Sequence, residues 1–129
     1  MEQSKLDALV AAADKRAVYI NQVEHAKAKF RSLNILAWEG HIFELHQNFV
    51  AFVYIKYQSA MPPRGTIASS DPDPVIFLDK NDEPVMITDL KRFFEEVEGC
   101  HTEALNYYYD AYAELQNAHT ATELIEVCI

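Results

Sequence analysis

The chain is poor in the residues that mark loop-rich, cross-linked or membrane-embedded proteins. Among 129 residues there are three glycines, five prolines and two cysteines. With half of the residues apolar, so little Gly and Pro argues against disorder and predicts long regular elements in one domain. Cys100 and Cys128 are too few for a disulfide framework and lack CxxC spacing, which predicts free thiols in a reducing compartment. The longest uninterrupted apolar run, residues 49–55, is far shorter than the roughly 18 to 20 residues of a spanning helix, and no signal-peptide pattern opens the sequence. A cytoplasmic protein with no membrane partner is the expectation. There is no Gly-rich phosphate loop and no GxSxG elbow.

Positive charge is also scarce. The net charge is −9 and is unevenly placed: residues 1–34 carry more basic than acidic side chains, whereas residues 75–129 hold three basic and twelve acidic ones. Phosphate contacts need Lys and Arg, so nucleic acid is not expected as a direct partner. An acidic helix surface suits a basic protein partner, or a protein that imitates DNA; the plain alternative is a solvated face that maintains solubility.

What the sequence does have is a dense apolar and aromatic stretch. Over residues 35–59, Ile35, Trp38, Ile42, Leu45, Phe49 and Phe52 form one stripe at helical spacing, and Leu36, Phe43, Val50 and Tyr57 form another. The pattern predicts a central helix covered on more than one side, with Asn34 as its cap. The rival is a strand over residues 49–57, whose side chains are almost all β-branched or aromatic. Before it, Leu6, Val10, Ala13, Ala17, Ile20, Val23, Ala26, Phe30 and Leu33 predict a first helix, opened by Ser4 with Asp7. Lys27, Lys29 and Arg31 near its end are expected to pair with the acidic third helix.

Residues 60–74 contain four of the five prolines and read as a long loop. Two β-type runs, residues 75–78 and 85–87, flank turn residues and predict a hairpin with apolar side chains on both faces. Such a hairpin must pack on helices, gain a strand or meet a partner. The Asp79, Asn81, Glu83 spacing resembles the start of a calcium loop, but the required Gly is absent and Leu90 stands at the twelfth position. Thr88 and Asp89 open a third helix to about residue 117, with Leu90, Phe94, Val97, His101, Ala104, Tyr108, Ala111 and Leu115 in four-three spacing. The tail is either a short helix capped by Thr120 with Glu123 or a strand. The predicted fold is mainly α, with α+β as the alternative: three long antiparallel helices and one β-hairpin between the second and third, in a single domain over residues 1–129.

Two functions from different classes follow. The first is a non-enzymatic interaction module (adaptor, assembly factor or inhibitor) that needs no cofactor and has a tendency to dimerise. It would use Glu95, Glu96, Glu103 and Asp110 on the third helix with Tyr107 and Tyr109, since consecutive tyrosines cannot all face one buried stripe and exposed tyrosine anchors interfaces. The second is a small metal-dependent helical enzyme. Glu98 and His101 form a Glu-x-x-His pair at helical spacing, to which His41 and Glu44 could add ligands; Glu24, His25 and His46 are weaker candidates. The diiron pattern needs two such pairs and two further glutamates, and only one pair is present. Cys100 beside His101 is a core residue rather than a nucleophile, because adjacent helical side chains diverge by about 100°.

Overall fold

The computed structural model describes residues 2–60 and 74–129. The order is helix α1 (Glu2–Leu33), strands β1 (Ile35–Trp38) and β2 (His41–Glu44), helix α2 (Gln47–Ala60), strands β3 (Val75–Leu78) and β4 (Pro84–Ile87), and helices α3 (Leu90–Asn117) and α4 (Ala121–Glu126). The fold is mainly α, with two small antiparallel hairpins among the described residues. The predicted loop over residues 60–74 falls, apart from its end residues, outside the described residues.

The single helix expected over residues 35–59 is not formed. Its first part is the β1–β2 hairpin, with Ile35 opposite Glu44 and Trp38 opposite His41. The turn between them is Glu39–Gly40, both at positive φ (48° and 82°), the backbone that a two-residue hairpin needs to match strand twist. Once the strands pair, the relevant period is two: Leu36, Trp38, Phe43 and Leu45 point inward and are buried, whereas Ile35, Ala37 and Ile42 point out. The helical stripes drawn through these residues were a coincidence of dense apolar composition. The helix starts only at Gln47, so α2 has 14 residues instead of matching the 32 of α1 and the 28 of α3. The strand alternative for residues 49–57 fails as well, since α2 covers them. Asn34 caps no helix; its carbonyl accepts the Leu45 N–H at 3.0 Å and closes the hairpin.

The β3–β4 hairpin forms where predicted, with Val75 opposite Ile87 and Phe77 opposite Val85. Asp89 opens α3, its Oδ1 accepting the Arg92 N–H at 3.2 Å. Thr120 caps α4 by accepting the Glu123 N–H, which decides the tail in favour of helix. Ser4 does not cap α1, which begins before it.

The described chain forms two compact units, Asn34–Glu103 and Met1–Leu33 with Ala104–Ile129. In the first, both hairpins, α2 and the first half of α3 enclose one core: Leu36, Trp38, Phe43, Leu45, Val53, Phe77, Val85, Ile87, Leu90, Phe93 and Val97. Phe93, outside the four-three seam read from the sequence, is its centre. Its ring lies 5.2 Å from those of Trp38 and Phe43 and 5.3 Å from Phe77. In the second unit, the later part of α1 packs with α4 and the second half of α3 through Ala26, Ala111, Leu115 and Leu124, and Phe30 meets Tyr108 at 5.4 Å. Residues 3–17 of α1 are exposed throughout, so the front of its apolar stripe (Leu6, Val10, Ala13, Ala17) stands uncovered.

Candidate functional site

Two features of the Asn34–Glu103 unit concentrate polar chemistry or unsatisfied surface. The first is a clasp between the hairpins. Asp79, at the end of β3, is buried; its Oδ1 accepts the N–H groups of Asn81 at 2.8 Å and Glu83 at 2.9 Å. Its Oδ2 accepts from His41 Nδ1 on β2 at 2.8 Å, and Lys80 N donates to the Ile42 carbonyl at 2.7 Å. The calcium-like spacing of Asp79, Asn81 and Glu83 is thus directed inward: the same i, i+2, i+4 pattern lets one carboxylate organise its own turn. Asp82, at φ 60°, completes that turn.

His41, Asp79 and Glu83 form the one group of three potential metal ligands among the described residues, within 4.8 Å of one another. Both oxygens of Asp79 are already engaged, so the arrangement is a closed hydrogen-bond network. The hydrogen bond from His41, opposed in part by burial and aided by the two backbone donors, holds the Asp79 carboxyl below its usual range. A carboxyl with a lowered folded pKa stabilises the fold above its unfolded pKa of about 3.9, and that contribution is lost as pH falls through the folded value. Acid titration followed by tryptophan fluorescence should therefore show the wild type losing stability below about pH 4. Asp79→Asn should flatten this acid limb while lowering Tm at pH 7; an unchanged acid limb would show that the clasp is not the acid-sensitive element.

The four residues of the helical metal-site expectation are not brought together. His41 and Glu44 lie on a strand, where helical spacing does not apply. Glu44 instead meets His46 at 3.0 Å, His101 donates to the Asn34 side-chain carbonyl at 2.8 Å, and Glu98 is exposed on α3. Burial pushes the His101 pKa down, favouring the neutral ring. Burial also pushes the Cys100 thiol up, with Glu103 and Glu96 adding to the effect, the opposite of what a nucleophile requires.

The second feature is exposed surface. Ile76, Leu78 and Met86 are 58%, 56% and 58% exposed on the outer face of β3–β4, with Ile76 directly opposite Met86. Three large apolar side chains on one small sheet face are unusual without a partner. The same unit presents exposed Glu83, Glu95, Glu96, Glu98 and Glu103. Of the helical glutamates, Glu96 alone has an ion-pair partner among the described residues, Arg92 at a loose 3.8 Å. The paired outward face of the hairpin was visible in the sequence; which face would be covered was not.

The remaining expected partner residues, Tyr107, Tyr109 and Asp110, belong to the other unit. Tyr109 is 71% exposed and Asp110 is exposed. Tyr107 is half-buried, with its hydroxyl shielded from solvent and Lys29 over its ring at 5.1 Å, which makes it part of that unit's packing. Lys27 pairs with Glu24 on its own helix, at 3.5 Å. Among the described residues no helix is long and apolar enough to cross a membrane. Comparison with models of known protein families, with curated proteins and with solved structures finds no match for the chain.

Proposed function

We propose that this protein is a non-enzymatic interaction module whose Asn34–Glu103 unit receives a basic protein partner. The observation that carries this reading is the exposed apolar face of Ile76, Leu78 and Met86 in a unit that also displays a row of carboxylates. An apolar face supplies affinity when water is excluded, and charge of one sign elsewhere on the same unit steers a partner of the other. The sequence of this unit contains twelve acidic and five basic side chains, which favours Lys- or Arg-rich protein and disfavours nucleic acid. Such a partner would be soluble protein in the same compartment, taken here as the cytoplasm, and no cofactor is required. Self-association through the uncovered front of α1, where Leu6, Leu9 and Val10 are more than half exposed, belongs to the same proposal.

The test is native mass spectrometry and light scattering on the protein isolated gently from its own cells. The wild type should carry a defined basic protein, and the purified pair should weaken as salt rises. Glu95→Lys with Glu96→Lys and Glu103→Lys should reduce affinity for that protein at least about tenfold, as should Ile76→Asp with Met86→Asp, both with unchanged circular dichroism. Leu6→Asp with Leu9→Asp should convert any dimer to monomer. If the captured protein binds both partner-face variants as tightly as wild type, the acidic face and the hairpin serve only solubility and packing, and the proposal fails.

A further inference from the structure

The unit made of Met1–Leu33 and Ala104–Ile129 contains a cleft that the interaction reading does not use. It has a volume of about 570 Å³, within the range of small-molecule sites, and opens to solvent between the middle of α1 and the C-terminal part of the chain. Ala12, Ala13, Ala118, Leu115 and Leu124 provide its apolar surface. The space exists because three of these five are alanine. Leu115 and Leu124 are fully buried, so the floor is fixed by the unit's own packing.

Charge in the cleft is of one sign. Lys15 and Arg16 line it, no carboxylate does, and neither cation has an ion-pair partner among the described residues. Asp14 is about 200° around the helix from Arg16 and does not share the cleft wall. In a chain of net charge −9, two adjacent uncompensated cations beside an apolar surface are a local exception. A neutral polar pair completes the lining: Gln116 Nε2 donates to the Tyr19 hydroxyl, which also interacts with Tyr112.

We propose that this cleft binds a small organic anion, a carboxylate carried on a short aliphatic or aromatic body. Lys15 and Arg16 hold the carboxylate, Arg16 with the geometry for two parallel N–H···O bonds, while the body lies on the alanines and Leu115. Desolvation is shared sensibly: the ligand's apolar part leaves water where the wall is apolar, and its charge stays at the open, cationic rim.

The test uses octanoate and 3-phenylpropionate as probes, with octanol as the neutral match, titrated into the full chain by calorimetry and by amide chemical shifts. Saturable one-to-one binding of at least one carboxylate is expected, with shifts at Ala12, Ala13 and Ala118. Octanol should bind at least about tenfold more weakly. Lys15→Gln with Arg16→Gln, exposed substitutions by a good helix former, should weaken the carboxylate about tenfold or more at unchanged helicity. Ala13→Phe should fill the cleft and abolish binding. Octanol binding as tightly as octanoate, affinity unaffected by the double substitution, or no saturation by either carboxylate at about 10 mM would each overturn the site.

Discussion

Phe93→Ala is expected to lower stability by about 3–5 kcal/mol, the range for removing a fully buried aromatic side chain and leaving a cavity. Phe93 is completely buried and is in ring contact with both hairpins and α2: Trp38 and Phe43 on one side, Phe77 on the other, and Phe49 at 6.4 Å. Three of these contacts are edge-on, a geometry that adds roughly 0.5–1.5 kcal/mol per pair beyond burial. Neither hairpin is stable alone, and Phe93→Ala removes one of the two rings that touch both, leaving Phe49, which meets Phe43 and Phe77, to hold them. Such a loss is a large share of the about 5–15 kcal/mol that separates folded from unfolded domains. Urea denaturation followed by Trp38 fluorescence measures it directly, since Trp38 is the sole tryptophan and touches the mutated ring. Phe93→Leu, which refills most of the volume, should recover more than half of the loss. An Ala variant within about 1 kcal/mol of wild type would show that the core does not depend on this ring.

Asn34→Ala is expected to cost about 2–4 kcal/mol although it removes only a small polar side chain. Asn34 is buried, its Nδ2 donating to the Leu45 carbonyl and its Oδ1 accepting from His101 Nδ1, both at 2.8 Å. Truncation strands the buried Leu45 carbonyl, at about 1–3 kcal/mol, and the half-buried imidazole N–H, which adds less. Asn34 also ties the β1–β2 hairpin to α3, so the loss should appear as faster amide exchange at Leu45 as well as in the denaturation midpoint. The histidine adds a sign that can be checked. Its folded pKa is depressed by burial, so protonation favours the unfolded state: stability is full above about pH 6.5 and falls as pH drops toward the folded value. His101→Gln should remove this dependence between pH 7 and 5. A wild-type midpoint flat over that interval would contradict the neutral, half-buried assignment.

These two residues show where reading the sequence succeeded and where it could not. The β3–β4 hairpin was legible because short apolar runs flank a polar turn, and α3 from Asp89, whose side chain caps through a neighbour three residues away; Thr120 with Glu123 left the tail open between helix and strand, and the structure decides for α4. Residues 35–45 were misread because every second residue and every third or fourth residue is apolar there, so both periods fit. The deciding signal was Glu39–Gly40, a two-residue turn that needs positive φ and reads as a single tolerated glycine in a helix. Asn34 and His101 are 67 positions apart and Asp79 and His41 38 apart, and no local pattern joins them. His101 was seen on the inward seam, but its amide partner, Asn34, reads from the sequence as a helix cap.

The sequence by itself determined that the chain is mainly helical, where its second hairpin and α3 begin, and that its acidic charge is concentrated late, because local backbone preferences and composition are properties of neighbouring residues. The tertiary structure alone decided which apolar faces are covered. Phe77 and Ile76 are consecutive residues of equal hydrophobic character, yet the first is buried against Phe93 and the second is left in water, since strand pairing and packing, not hydropathy, assign the two faces. The same holds for Lys15 and Arg16: only the packing of distant Leu115 and Leu124 beside them turns two helical cations into the rim of a cleft.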